Sequence, residues 1–174
     1  ISLICPSNLE KFSLIIGKSI NDIEKQAKEL GKVLAENIDT LVIVFNYSGM
    51  IKLVGDSYKE NNGKLEMLYT ENDYDWFTDI YMHHLDNANI KTKKESWHDM
   101  LLSLVTDPDV VICVGLSAGI FVELGYMKWN LQENKGTKNL IFIKEFLKEG
   151  NIPKELELDL SDIITYASIK DLPL

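Results

Sequence analysis

The stretch Val111–Tyr126, VICVGLSAGIFVELGY, decides the fold because it changes from a strand pattern to a helix pattern at its glycines. Its first residues form the continuous apolar run that is typical of a strand covered on both faces, as in a parallel sheet. The residues after Gly119 suit a helix and carry one carboxylate, Glu123. A strand that leads into a helix is the first half of a βαβ unit. The stretch therefore predicts a parallel sheet, with a lone acid one helical turn beyond a glycine bend.

The rest of the chain repeats this alternation. Strand-like runs are ISLIC (1–5), TLVIVF (40–45), KLEMLY (64–69), NLIFIKEF (139–146) and, more weakly, NANIKTK (87–93), and IITYA (163–167) is expected to close the sheet or dock on it. Helical periods cover Ser19 to Leu34, Ile51 to Glu60, Ser96 to Val105 and the residues up to about Asn130. The pattern predicts a doubly wound α/β fold, with a mostly parallel sheet and helices on both faces, in one Rossmann-like domain spanning residues 1–174.

Composition narrows the classes of partner. The net charge of -9 and the pI near 4.8 argue against binding to DNA or RNA, because affinity for their backbones depends on many basic side chains. All 18 basic residues are lysines, so the chain has no guanidinium group for bidentate binding of a phosphate. No apolar run is long enough to span a bilayer and no leader pattern opens the chain, so no membrane partner is expected.

The cysteines and histidines favour structural roles. Cys5 and Cys113 fall within apolar strand-like runs, where a core position is favoured over a redox or metal role, and a reducing cytoplasmic location fits them best. His83, His84 and His98 lack the spacing of a metal site, and a surface position is the favoured interpretation. Neither a metal nor a cofactor is therefore expected.

An acidic, aromatic segment, TENDYDWFTDIY (70–81), shows no clear period. Its rings at Tyr74, Trp76, Phe77 and Tyr81 are compatible with a lid that stacks on a base, with an oligomer contact or with a flap over the sheet. The sequence does not separate these three interpretations.

Three strand ends carry loops of small and hydroxyl residues, CPSN (5–8), NYSGM (46–50) and GLSAG (115–119). Ligands of parallel α/β sheets bind at the carboxyl ends of strands near the topological switch point, so these loops are expected to converge on one crevice. Two of the loops lie at the starts of helices, whose free backbone amides favour the binding of an anion. Glycine at such turns is equally common for reasons of packing alone. The candidate ligand-binding residues of the loops are Ser7, Asn46, Ser48, Gly49, Gly115, Ser117 and Gly119.

The order of motifs from Glu29 to Thr70 follows a known pattern. A helix containing LGKVLA leads to the strand TLVIVF, then to NYSGM, a helix, a glycine at Gly63 and another strand. Further on, GLSAGIFVE (115–123) takes the place of a P-G-G-x-G-T-x-x-E signature. These motifs resemble the LONELY GUY family, phosphoribohydrolases of cytokinin nucleotides that are often mislabelled as lysine decarboxylases. The resemblance covers roughly residues 1–145 and implies a Rossmann-like nucleotide-binding fold and a homodimer.

This chain departs from the family pattern in the residues that surround a phosphate. Val44–Asn46 replace a triple glycine, Gly115–Ser117 replace P-G-G, and Ile120 replaces the threonine. The family also carries an Arg-Lys pair that would fall near residue 96, where this chain has no arginine. Lys93 and Lys94 lie nearby in sequence and complete the candidate ligand-binding set, but a lysine does not reproduce a bidentate grip.

A second resemblance concerns the residues around Glu123. SAGIFVELGYM (117–127) is similar to the G-T-x-x-E-I-G-Y-A stretch of nucleoside deoxyribosyltransferases, in which the glutamate is the nucleophile that attacks the sugar. Both resemblances imply Glu123 as a catalytic carboxylate at an N-glycosidic bond, where it would stabilise positive charge developing on the sugar. The alternative from the residues alone is a solvated carboxylate near a helix start, which the helix dipole favours.

These observations predict a protein that binds a nucleotide or nucleoside phosphate and hydrolyses its N-glycosidic bond. Three alternatives remain open at this point. They are a nucleotide sensor of the same fold without turnover, a deoxyribosyltransferase-like enzyme, and a structural or partner-binding domain.

Overall fold

The computed structural model describes residues 1–71 and 82–174, and these residues form one seven-stranded sheet. The strands are β1 (Ser2–Ile4), β2 (Thr40–Val44), β3 (Lys64–Tyr69), β4 (Ile90–Lys93), β5 (Val110–Cys113), β6 (Asn139–Ile143) and β7 (Ile164–Ala167). They pair in the order β4-β3-β2-β1-β5-β6-β7, and each of these pairings is parallel. The predicted α/β fold is confirmed, and the run IITYA supplies the edge strand β7.

The helices alternate with the strands. They are α1 (Leu9–Ile16), α2 (Ile20–Asn37), α3 (Gly49–Glu60), α4 (Trp97–Thr106), α5 (Ala118–Gln132) and α6 (Lys154–Asp159). Short 3-10 turns lie at Met82–Asn87, Lys144–Phe146, Lys148–Gly150 and Ile169–Asp171. Ser19 and Ser96 accept hydrogen bonds from the Asp22 and Asp99 amides, as their spacing predicts for helix caps.

Helix α1 is the element that the sequence patterns did not predict. Its eight residues, LEKFSLII, cover only about two turns, which is too short a window for a helical period to be recognised. The signal lies at its ends, because the Asn8 side chain accepts from the Lys11 amide and Gly17 ends the helix with φ 69°. These two caps place the helix directly after β1.

The strand order reverses at β1, which defines a topological switch point. The chain moves outward from β1 through β2 and β3 to β4, and then returns to place β5 on the other side of β1. Because parallel crossovers are right-handed, the helices of the two halves cover opposite faces of the sheet. Helix α2 packs on α3, and α4 packs on α5. The loops after β1 and β5 therefore diverge and leave a crevice between them.

Within the described residues, no helix has the length and apolar character needed to cross a membrane.

Candidate functional site

A cavity of about 380 Å³ lies at the carboxyl ends of β1, β2 and β5. It receives at least one residue from each of the three loops that the sequence predicted to converge: Ser7, Asn46, Ser117 and Gly119. Glu123 of α5 lines it as well. The predicted crevice is therefore present at the switch point, with the lone acid in its wall. Its remaining lining residues are Leu3, Ile4, Cys5, Val44, Ile51, Trp97, His98, Leu101, Leu104, Ile120 and Val122.

Two glycines bring the loops together by packing. Gly49 has φ +54°, and a Cβ atom on it would lie 1.9 Å from the carbonyl oxygen of Ser7. The Met50 amide also donates to the Pro6 carbonyl at 3.3 Å, so the loops after β1 and β2 are in direct contact. Gly115 has φ +86°, and a Cβ atom there would lie 2.4 Å from the Phe12 ring. Both positions require glycine, because φ is positive and because a Cβ atom would clash with its neighbours. Neither glycine lines the cavity.

The two helix starts at the cavity differ in how they are capped. Ser117 Oγ accepts from the Ile120 amide at 3.4 Å at the start of α5. Ser48, at the start of α3, makes no such cap and donates instead to Asn46 Oδ1 at 2.6 Å. The Ser48 bond orients the Asn46 side chain, which lines the cavity, whereas Ser48 itself does not. Ser48 thus acts on the cavity through Asn46.

Glu123 is a buried acid without a local partner. Its side chain is 7% exposed, and its Oε2 is one of three buried side-chain oxygens in residues 1–71 and 82–174 that lack a hydrogen-bond partner. The other two belong to Ser2 and Glu145, which do not line the cavity. Burial raises the pKa of Glu123 to about 8. The carboxyl is therefore neutral at pH 7, and it has an oxygen available to a molecule in the cavity.

Both cysteines are buried, as Glu123 is. Cys5 and Cys113 are buried free thiols. Burial, with a smaller contribution from Glu123, raises the pKa of each thiol well above its usual value. Such thiols are unreactive at neutral pH. The predicted core position of the cysteines is confirmed by their burial.

The lysines of the candidate set lie elsewhere. Lys93 is on β4, at the edge of the sheet, where it forms an ion pair with Glu71. Lys94 pairs with Asp107, with Nζ and Oδ2 3.2 Å apart. Neither side chain lines the cavity. Their ligand-binding role thus stays a prediction that their positions do not favour.

Trp97 and His98, at the start of α4, line the cavity but were not among the predicted ligand-binding residues. The Trp97 ring packs against Phe45, with ring centroids 6.3 Å apart. A signal for this position was available, because the cap at Ser96 locates the start of α4. The order of strands that brings α4 to the cavity is not readable from the sequence.

The remaining histidines belong to a different part of the fold. The Tyr47 amide donates to His84 Nδ1 at 3.1 Å, and burial lowers the pKa of His84. Among the described residues, no group of three or more metal-binding side chains occurs. The aromatic segment with Tyr74, Trp76, Phe77 and Tyr81 lies outside the described residues, so its predicted roles stay open.

No protein-family model and no curated protein matches the chain. The similar proteins that comparison finds are solved structures. The molybdenum cofactor carrier protein of Chlamydomonas reinhardtii superimposes with a TM-score of 0.63 at 16% identity, covering 98% of this chain and 90% of that protein. The molybdenum cofactor binding protein of the phototrophic bacterium Rippkaea orientalis gives a TM-score of 0.61 at 15% identity, covering 97% and 89%. At these identities the similarity establishes a shared fold.

Proposed function

We propose that this protein binds a nucleotide or nucleoside phosphate in the Glu123 cavity. The observation that carries the proposal is the buried Glu123 carboxyl, which lines the cavity at the switch point and has an oxygen without a hydrogen-bond partner among the described residues. An unpaired buried polar atom costs free energy, and a bound ligand that forms the missing hydrogen bond offsets that cost. The resemblance to the LONELY GUY family points to the same class of ligand.

The protonation state of Glu123 defines the contact. A neutral carboxyl both donates and accepts, and sugar hydroxyl groups do the same. The Glu123 side chain would therefore pair with the sugar, while the hydroxyl and amide groups of Ser7 and Ser117 would hold the phosphate. The free backbone amides at the start of α5 favour the phosphate. The chain would therefore bind a phosphate without an arginine.

A ligand panel with two substitutions at Glu123 tests this proposal. The thermal midpoint would be measured with the common nucleoside monophosphates and with the molybdenum cofactor, because proteins of the same fold are carriers or binders of that cofactor. Glu123→Gln keeps one donor and one acceptor and should retain the ligand-induced increase. Glu123→Leu removes both the donor and the acceptor and should lose the ligand-induced increase in the thermal midpoint. A wild-type midpoint that none of the monophosphates raises would refute the proposal, whether or not the molybdenum cofactor raises it.

The second candidate function is hydrolysis of the N-glycosidic bond by the same carboxyl. The burial of Glu123 among mainly apolar lining residues favours it, because a carboxylate there would strongly stabilise positive charge on the sugar. This reaction requires the ionised form, whereas binding uses the neutral one. Release of free base would therefore increase as the pH rises toward about 8 and disappear in Glu123→Gln. Binding without base release in any of the common monophosphates would leave a sensor or carrier.

We also propose that the protein forms a homodimer through α5. Most residues of this helix are apolar and its few polar ones do not form a separate face, which is typical of a helix with packing partners on more than one side. In one copy of the chain, however, Phe121, Val122 and Trp129 are 42%, 49% and 64% exposed. A second copy packed on this face would cover them next to the cavity.

A further inference from the structure

A second and larger cavity lies beside the Glu123 cavity. It has a volume of about 540 Å³ and lies between α1, the start of α5 and the segment that follows β6. Its walls are mainly apolar and include Ile15, Leu116, Phe121, Phe146, Leu147 and Ile152. A cavity of this size and character is large enough for an aromatic or branched apolar group. The proposed nucleoside phosphate does not account for it.

A smaller cavity of about 330 Å³ joins the two. It shares Ser7, Ser117 and Gly119 with the Glu123 cavity, and Ile15, Leu116 and Ser117 with the apolar cavity. Ser117 therefore lines all three. The cavities form one trench, which runs along the carboxyl ends of β2, β1, β5 and β6.

The middle of the trench is its most favourable position for an anion. The helix starts capped by Asn8 and Ser117 both border it. Lys11 lines the middle and the apolar cavity, and Lys148 lines the far end. Neither lysine has an ion-pair partner in the part of the chain that the structure describes. A phosphate here would lie between the cavity that holds the unpartnered, buried Glu123 acid and the larger apolar cavity.

We infer that the ligand is a phosphodiester, with its sugar at Glu123, its phosphate between the two helix starts, and an apolar or aromatic group in the cavity walled by Ile15 and Phe121. This inference rests on the proposed function and specifies its ligand class. A phosphomonoester would end in the middle of the trench and leave the apolar walls in contact with water. A second group attached to the phosphate would bury them.

Two synthetic esters of one nucleoside monophosphate test the inference. The nucleoside is the one that binds best among the common monophosphates, and the probes are its methyl and naphthyl phosphodiesters, which carry the same charge. The naphthyl ester should bind the wild-type protein about tenfold more tightly than the methyl ester or better, because only its ring system reaches the apolar cavity. Calorimetry supplies both dissociation constants.

Two substitutions locate the effect. Ile15→Asn changes a wall residue that is 43% exposed, so the fold should persist, and it adds no charge beside the phosphate. It should abolish the preference for the naphthyl ester while leaving methyl ester affinity within about threefold. Glu123→Leu should weaken both esters equally. Equal affinity of the two esters for the wild type, or a preference that survives Ile15→Asn, would overturn the inference and leave the proposed function intact. Failure of both esters and of the parent monophosphates to bind would overturn the two together.

Discussion

Glu123 is the residue on which the proposed chemistry depends, because its charged form is costly in the cavity. Burial raises its pKa from 4.5 to about 8, so between these values the folded state binds more protons than the unfolded state. Stability therefore decreases as the pH rises from about 4.5 to about 8, by up to about 1.4 kcal/mol per pH unit. A folded-state penalty of this kind is typical of residues retained for binding or catalysis rather than for stability.

A neutral isostere should remove this pH dependence. Glu123→Gln is expected to be progressively more stable than the wild type as the pH rises from 5 to 8. Urea unfolding at several pH values measures the difference. Glu133→Gln, at an exposed position at the end of the same helix, is the control and should follow the wild type at each pH. A constant difference between Glu123→Gln and the wild type would show that the acid is not buried in the folded protein.

Residue patterns predicted part of this site for a clear physical reason. Ser7, Asn46 and Ser117 lie in loops that follow strands, and Gly119 and Glu123 lie in the first turns of α5. The carboxyl ends of parallel strands share one edge of a sheet, so these residues meet there. The prediction of a common crevice needed no knowledge of strand order. Trp97 and His98 were not predicted, because their position at the cavity depends on how α4 crosses the sheet. Lys93 and Lys94 were chosen for their charge and for their nearness in sequence to the family's Arg-Lys position, and carboxylates near them in the fold pair with both.

At the level of elements, the contact between the loops after β1 and β2 positions the cavity. Gly49→Ala should strongly destabilise the protein, because the new Cβ would lie 1.9 Å from the Ser7 carbonyl oxygen and φ is +54°. Gly150→Ala is a matched control with φ +75° and no atom within 4 Å. The control should lose about 1–2 kcal/mol from backbone strain alone, and Gly49→Ala about 1–3 kcal/mol more. Equal losses in chemical denaturation would contradict the proposed contact between the loops.

The sequence patterns predicted some helices and strands better than others. The apolar runs of β2, β5 and β6 identify buried parallel strands without ambiguity, because both of their faces are covered. Helix α1 is only eight residues long, so its caps were its clearest signal. The order of strands depends on tertiary packing, which no local pattern encodes.

For the whole molecule, the exposed face of α5 predicts self-association. Trp129→Glu should convert a dimer into a monomer, because it places a charge at the most exposed of the three exposed large apolar residues on that helix. Light scattering measures the mass. Leu14→Glu, a change at an 84% exposed apolar residue on α1, is the control and should leave the mass unchanged. A wild-type protein with the mass of one chain would contradict the dimer.

The chain as a whole combines a net negative charge with a proposed anion site of backbone amides and few lysines. A net charge of -9 disfavours polyanions such as nucleic acids, and the trench instead offers local features that a small phosphate ester would satisfy. The fold alone does not select that ligand, since one fold hosts many functions. Selection depends on the buried acid at one end of the trench and the apolar walls at the other.

The most direct test of the binding claim is the affinity for the best nucleoside monophosphate, measured by calorimetry at pH 7 and pH 9. The proposed binding form is the neutral Glu123 carboxyl, so wild-type affinity should decrease about tenfold across its pKa of about 8. Glu123→Gln should bind with the same affinity at both pH values. A wild-type affinity that stays constant or increases at pH 9, or no binding at either pH, would contradict the account.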